Sequence, residues 1–245
     1  MILEVDCGNS LIKWRMVGGD PLVEFEVGAA NDEEDFIAQL KRYRGSLPAK
    51  ARVVSVRSDA ETYCLLDALR LHFEIPVMLA YSSRSLGGVT NGYIEPEQLG
   101  VDRWMAIVAA FIHVGSACLV LDIGTAVTSD FVRGDGMHLG GYICPGIRLM
   151  RNQLGAHTRR ISYEPGARTD CNRLGRRTAE AVEHGTELML LGFISTQVDK
   201  AQEYLGAECS VIVTGGDAAL VASIIPSSIV VPDLVFRGLA VACPG

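Results

Sequence analysis

An α/β fold built as two similar domains is predicted for this 245-residue chain, on three observations. One phrase is written twice: Ile2-Leu3-Glu4-Val5-Asp6-Cys7-Gly8-Asn9 opens the sequence, and Leu119-Val120-Leu121-Asp122-Ile123-Gly124-Thr125 stands near its middle. In each copy a short apolar run ends in Asp, one residue intervenes, Gly follows, and a second run of strand character begins. Asp6 and Asp122 lie about half a chain apart. The pattern after each phrase also repeats, strands first and then helices alternating with strands. Hydrophobic residues make up 49% and charged residues 21%, ordinary for a globular chain with a substantial core, and the length accommodates two domains of about 120 residues.

The first half opens as an antiparallel meander. Ile2 to Val5, Leu11 to Val17 and Leu22 to Val27 read as strands, with Gly18-Gly19-Asp20 turning between the second and third. Asn31 then caps an acidic first turn, Asp32 to Asp35, whose charges suit the positive end of a helix leading into Phe36, Ile37 and Leu40. Arg52 to Val56 returns as a strand, Ser58 or Asp59 caps a helix through Leu65, Leu66 and Leu69, and Val77 to Ala80 is a further strand. A packed helical stretch, Ala106 to Ser116, joins the halves.

The second half repeats the plan. Cys118 to Asp122, Val127 to Val132 and Met137 to Ile143 are strands, with Arg133-Gly134-Asp135-Gly136 as the hairpin turn. Pro145 is expected to open a helix, where its missing N–H is tolerated. Ala179 to Tyr204 carries one or two long helices, Ser210 to Val213 a buried strand and Ile229 to Val231 the last one, and Asp233 caps a closing helix through Leu234, Leu239 and Val241. Three meandering strands followed by helix and strand alternation, given twice, describe two ribonuclease H-like domains, residues 1–113 and 114–245, around a central cleft.

Several function classes recede on composition. The net charge of −7 argues against nucleic-acid binding through the overall field. Arg159, Arg160, Arg168, Arg173, Arg176 and Arg177 cluster in sequence, as solvated charges or as a local steering patch for an anion. The seven cysteines are odd in number and scattered without a Cys-x-x-Cys pair, as expected of reduced thiols in a cytoplasmic protein, and the five histidines show no metal-ligand spacing. No basic-then-apolar leader stands at the start and no apolar run reaches membrane-spanning length, so no membrane association is expected.

Asp-x-Gly marks many ordinary hairpin turns. Its duplication after matching strands points further. A strand ending in Asp and turning through Gly sets a carboxylate beside backbone N–H groups, where a metal-chelated phosphate can sit. Asp6-Cys7-Gly8-Asn9-Ser10-Leu11-Ile12-Lys13 adds two polar side chains for phosphate oxygens and a cation on the returning strand. It is neither a Walker loop nor a dinucleotide fingerprint. Thr214-Gly215-Gly216-Asp217, between strand and helix, is either a packing turn or a place for a nucleotide to lie against backbone. Gly100-Val101-Asp102-Arg103 follows the loop Asn91-Gly92-Tyr93 and precedes an apolar helix. Asp102 there is either a helix cap or a base that accepts a hydroxyl proton while Arg103 grips a substrate carboxylate.

Together these residues resemble the type III pantothenate kinases, bacterial members of the superfamily of acetate and sugar kinases, heat-shock ATPases and actin. The resemblance spans nearly the whole chain and rests on Asp6-x-Gly8-Asn9-Ser10-x-x-Lys13, Asn91-Gly92-Tyr93, Gly100-x-Asp102-Arg103, Asp122-x-Gly124-Thr125, Gly140-Gly141-x-Ile143-x-Pro145-Gly146 and Thr214-Gly215-Gly216. It implies ATP-dependent phosphorylation of pantothenate to 4′-phosphopantothenate, the first step of coenzyme A synthesis. By the same resemblance Asp6 to Lys13 and Thr125 bind ATP, with Asp6 helping to place Mg²⁺ through the phosphates, and Asp102 is the general base. Tyr93, Gly100, Val101, Asp102, Arg103 and Thr178 line the pantothenate site, Asp122 belongs to a monovalent-cation site for K⁺ or NH₄⁺, and the protein is a homodimer. Other phosphotransferases or phosphatases on this fold, and filament-forming ATP-binding proteins of actin type, are the alternatives. A carboxylate and Arg paired at Asp102-Arg103 argue for a small-molecule acceptor.

Overall fold

The computed structural model describes residues 1–19, 23–158 and 173–244. It divides into two compact units: Met1–His113 together with the C-terminal segment from Asp233, and Val114–Pro232.

In the first unit β1 (Ile2–Cys7), β2 (Ile12–Gly18) and β3 (Val23–Ala30) form the antiparallel meander, followed by α1 (Glu33–Arg42), β4 (Lys50–Ser55), α2 (Asp59–Phe73) and β5 (Val77–Leu79). The sheet runs β3-β2-β1-β4-β5, with β4 parallel to both β1 and β5. Side chains alternate across a strand, so one face of this sheet packs the apolar core and the other carries the charged residues. Leu3, Val5 and Cys7 of β1, Ile12, Trp14 and Met16 of β2 and Val53 of β4 pack with Phe36, Ile37 and Leu40 of α1 and Leu65, Leu66 and Leu69 of α2. Glu4 and Asp6 occupy the opposite face, in register with Arg15 and Lys13 respectively. A small hairpin, β6 (Ser85–Leu86) with β7 (Val89–Thr90), and a 3₁₀ turn at Pro96–Gln98 lead into α3 (Val101–Val114). Neither the hairpin nor the 3₁₀ turn was expected from the sequence, because each is too short to show a period.

The second unit repeats the plan with β8 (Cys118–Ile123), β9 (Ala126–Val132), β10 (His138–Pro145), α4 (Ile147–His157), α5 (Thr178–Leu205), β11 (Ser210–Thr214), α6 (Ala218–Ile224) and β12 (Ile229–Val230). Its sheet, β10-β9-β8-β11-β12, has the order of the first. Leu119, Leu121 and Ile123 of β8 and Val127 and Phe131 of β9 pack with Leu190, Ile194 and Ala201 of α5. Asp122, like Asp6, lies on the face away from this core.

The closing helix α7 (Leu234–Ala242) differs from the division expected at 114–245, since it packs on β1 and β4 of the first unit. The reason is electrostatic and steric. Asp233 stands at the cap position as expected but makes no side-chain cap bond; its carboxylate accepts from Arg15 Nη1 at 3.0 Å and Arg237 Nε at 2.8 Å. Arg15 also donates to Glu4 at 2.7 Å, Glu4 accepts from Arg52 at 2.8 Å, and Arg15 lies over the Phe236 ring at 4.7 Å. Glu4 is fully buried. Gly238 of α7 rests against the Met105 carbonyl of α3, where a Cβ would collide. Two helix starts also differ from expectation. Asp32, not Asn31, caps α1, because its carboxylate reaches the Asp35 amide at 2.9 Å. Pro145 ends β10 by pairing with Ala126, and Gly146 is the cap residue of α4.

Candidate active site

In the first unit the Asp6–Lys13 segment is a strand end, a tight turn and a strand start. The Gly8 amide donates to the Leu11 carbonyl at 3.0 Å and closes the turn. Two further bonds arrive from the end of β4: the Val56 amide donates to the Cys7 carbonyl at 3.1 Å, and Arg57 Nε donates to the Gly8 carbonyl at 3.0 Å. Asn9 and Ser10 are exposed at the tip, and Lys13 stands opposite Asp6 on the same face of the ladder. Cys7 and Ile12 turn into the core, so only their backbone faces the turn; burial pushes the Cys7 thiol up, with Arg57 opposing. Leu11 is exposed. The turn thus offers a carboxylate, an ammonium and polar groups around one Gly.

Further along the same unit, Tyr93 and Gly100–Arg103 come together. Arg103 is 6% exposed and its Nη1 donates to Tyr93 Oη at 2.9 Å, with the guanidinium 5.7 Å from the ring centroid. Asn91, itself buried, holds this loop: its amide nitrogen donates to the Ser83 and Pro96 carbonyls at 3.2 Å each, and its oxygen accepts from the Tyr93 amide at 3.0 Å. Val101 and Asp102 open α3, half-buried, and Asp102 Oδ1 accepts from the Arg103 amide at 2.7 Å. Chemically, the Asp102 carboxylate can accept a proton and the Arg103 guanidinium can pair with an anion.

In the second unit Asp122 ends its strand in register with Thr128, so the hydroxyl of this copy stands where the first copy has Lys13. Gly215 has φ +95, and a Cβ there would stand 2.5 Å from both Asp122 Oδ1 and the Ile123 carbonyl oxygen. Gly215 is thus packed directly against the Asp122 carboxylate and the Ile123 carbonyl at the end of β8. Thr125 is exposed in the β8–β9 turn, and its carbonyl accepts from the Gly146 amide at 2.9 Å, which brings the N-terminus of α4 beside the turn. Thr178 is the first residue of α5, exposed and on a separate element from Asp122 and Thr125. The Arg176 amide donates to Glu180 at 2.8 Å, which fixes the approach to that helix. Arg173, Arg176 and Arg177 are exposed; Arg159, Arg160 and Arg168 lie outside the described residues.

Sequence reasoning missed Arg57, and it named Asn91 only within the Asn91-Gly92-Tyr93 motif without its anchoring role. The only signal for Arg57 was a cation just beyond the strand expected at Arg52 to Val56. Among the described residues no group of three or more His, Cys, Asp and Glu could hold a metal ion. Mg²⁺ bound with ATP asks less: one or two carboxylates with phosphate oxygens and water, a demand that Asp6 in its turn fits.

The type III pantothenate kinase family model matches residues 2–200. The chain belongs to the type III pantothenate kinase family. It is therefore a kinase, and ATP with a divalent metal is implied. A relative from Pseudomonas syringae pv. syringae, named type III pantothenate kinase, is 50% identical over 250 residues, covering 100% of this chain and 99% of its own. Another of that name, from Pseudomonas paraeruginosa, is 52% identical over 248 residues with the same coverage. Among solved structures, a Campylobacter jejuni protein assigned to the Baf family of transcriptional activators shares the fold, with TM-score 0.61, 21% identity, and 97% of this chain and 94% of its own covered.

Proposed function

We propose that the chain transfers the γ-phosphoryl group of ATP to the primary hydroxyl of pantothenate, with Asp102 as general base. The observation that carries this reading is the anchored Asp102 carboxylate beside the buried Arg103–Tyr93 pair. Arg103 and Tyr93, with Gly100 and Val101, hold the carboxylate end of the acceptor, and Thr178 contributes to the same substrate. Asp102 takes the hydroxyl proton as the hydroxyl oxygen bonds to the γ-phosphorus. The bond from that phosphorus to the β,γ-bridging oxygen breaks, and ADP leaves with the electron pair. The Asp6–Lys13 turn orients the phosphates, Lys13 and backbone N–H groups meeting their charge, and Thr125 contacts ATP beside the N-terminus of α4. Mg²⁺, when bound with ATP near Asp6, supplies charge neutralisation on the phosphate oxygens. Asp122 would hold K⁺ or NH₄⁺, which would offset the negative charge developing in the transfer, a role that rests on the family resemblance.

The chain acts in the cytoplasm as a homodimer, a reading that rests on the family resemblance and on exposed apolar residues such as Leu188 and Met189 of α5. Among the described residues no helix is long and apolar enough to cross a membrane.

The experiment is a coupled assay with ATP and pantothenate, comparing the parent with Asp102→Asn. The amide keeps the shape and loses the basic oxygen, so calorimetry should show both substrates still binding while turnover falls by about 10² to 10⁴. Turnover close to the parent's would make Asp102 a helix cap and end its assignment as base.

A further inference from the structure

We propose that Arg57 is a positioning residue for ATP, acting through the conformation of the Asp6–Ser10 turn. The inference rests on the assignment of that turn to the phosphates and names a residue outside it. Arg57 is half-buried and its Nε donates to the Gly8 carbonyl at 3.0 Å, so a charged donor holds the glycine of the turn, the residue whose lack of a Cβ permits close backbone approach by a ligand. The Arg57 amide is itself bound by Ser55 Oγ at 3.3 Å, and Ser55 Oγ shares a hydrogen bond of 2.7 Å with Thr62 Oγ1 of α2. Thr62 is buried, and α2 is fixed one turn earlier by the reciprocal bonds between Ser58 and Glu61. A continuous line of hydrogen bonds therefore runs from the start of α2 through Ser55 and Arg57 to Gly8.

Two consequences follow for the turn. The Gly8 carbonyl points toward Arg57, and this fixes the peptide plane that joins Gly8 to Asn9. The direction of the Asn9 amide is thereby set, and a preset N–H toward a phosphate oxygen needs no reorganisation when ATP arrives. The guanidinium also adds positive charge beside the turn, where the same charge draws the Cys7 thiol downward against the effect of burial. Among the described residues the hydrogen bonds of Arg57 go to the Gly8 carbonyl and to Ser55, and its charge acts on Cys7 and Glu61, none of them in the acceptor site.

The test uses the full chain and three variants, Arg57→Met, Arg57→Lys and Asp6→Asn, with steady-state kinetics in Mg²⁺-ATP and in pantothenate, calorimetry with Mg²⁺ and a non-hydrolysable ATP analogue, and thermal unfolding. Loss of one hydrogen bond from a charged donor should raise the KM for ATP about tenfold in Arg57→Met. The KM for pantothenate and the unfolding midpoint should stay near the parent's. Arg57→Lys, which restores charge and one donor, should recover part of the ATP affinity, and it carries the test if Arg57→Met does not fold. An Asp6→Asn variant that weakens ATP while both Arg57 variants bind it normally would overturn this inference and leave the phosphate turn standing. Normal ATP binding in Asp6→Asn as well would overturn the assignment of the turn itself. An equal rise in both KM values with a lowered unfolding midpoint would show Arg57 to be structural only.

Discussion

At the scale of single residues, the two copies of the Asp-x-Gly phrase have diverged in the partner across the ladder. Asp6 faces Lys13, whereas Asp122 faces Thr128. A carboxylate opposite an ammonium suits a turn that must meet phosphate oxygens, since the cation offsets the repulsion between anions. A carboxylate opposite the Thr128 hydroxyl presents oxygen atoms in place of an ammonium, which is the chemistry of the cation role proposed for Asp122. On that proposed role, Asp122→Asn should give an enzyme whose rate no longer rises when Na⁺ is replaced by K⁺, because the amide lacks the anionic oxygen that compensates the ion's lost water. Rates measured across a K⁺ titration check this, and a full K⁺ response in the variant would return Asp122 to the role of a hairpin residue.

At the scale of elements, the end of β8 and the turn after β11 are fitted to each other through Gly215. Its φ of +95 and the 2.5 Å separations that a Cβ would have from Asp122 and Ile123 leave room only for hydrogen. Gly215→Ala should lower stability by about 2 kcal/mol from backbone strain and crowding together. It should also blunt the K⁺ response by displacing the Asp122 carboxylate. Urea unfolding and the same K⁺ titration measure both effects, and an unchanged midpoint would show that the turn relaxes at little cost. The pairing of these two elements was half legible in the sequence. The strand runs and their terminal Asp or Gly showed through period and turn chemistry, which are local. Which carbonyl Gly215 meets depends on β11 lying parallel to β8, and no local pattern records that pairing. The same limit explains Arg57, which reaches Gly8 only because β4 pairs with β1. It also explains the cap of α1, where Asn31 and Asp32 are chemically equivalent candidates and only the backbone path selects Asp32.

At the scale of the whole molecule, the least legible feature is the return of the chain to its first unit. In sequence Glu4 looks like one polar residue in an alternating strand and Asp233 like a helix cap, yet their carboxylates converge on Arg15. Arg15 is held charged: burial works to lower its pKa, and the carboxylates of Glu4 and Asp233 outweigh that and raise it. Glu4, 0% exposed, accepts from Arg15 and Arg52 on adjacent strands, so the cluster ties β2, β1 and β4 together and presents Arg15 to the start of α7. Breaking one partner of such a cluster leaves the others buried without their counter-charge, a loss of about 3 to 5 kcal/mol. Glu4→Gln should accordingly destabilise the first unit by that order and loosen α7, whose apolar residues Leu234 and Leu239 would still pack but without the ion pair that fixes their entry. Hydrogen exchange followed by peptide should show faster exchange in α7 and β1 while the amides of β8 and β9 keep the parent's protection. Unchanged protection of α7 in that variant would mean that apolar packing and the close approach of Gly238 to Met105 hold the helix by themselves, and that the charge cluster serves only the sheet beneath it.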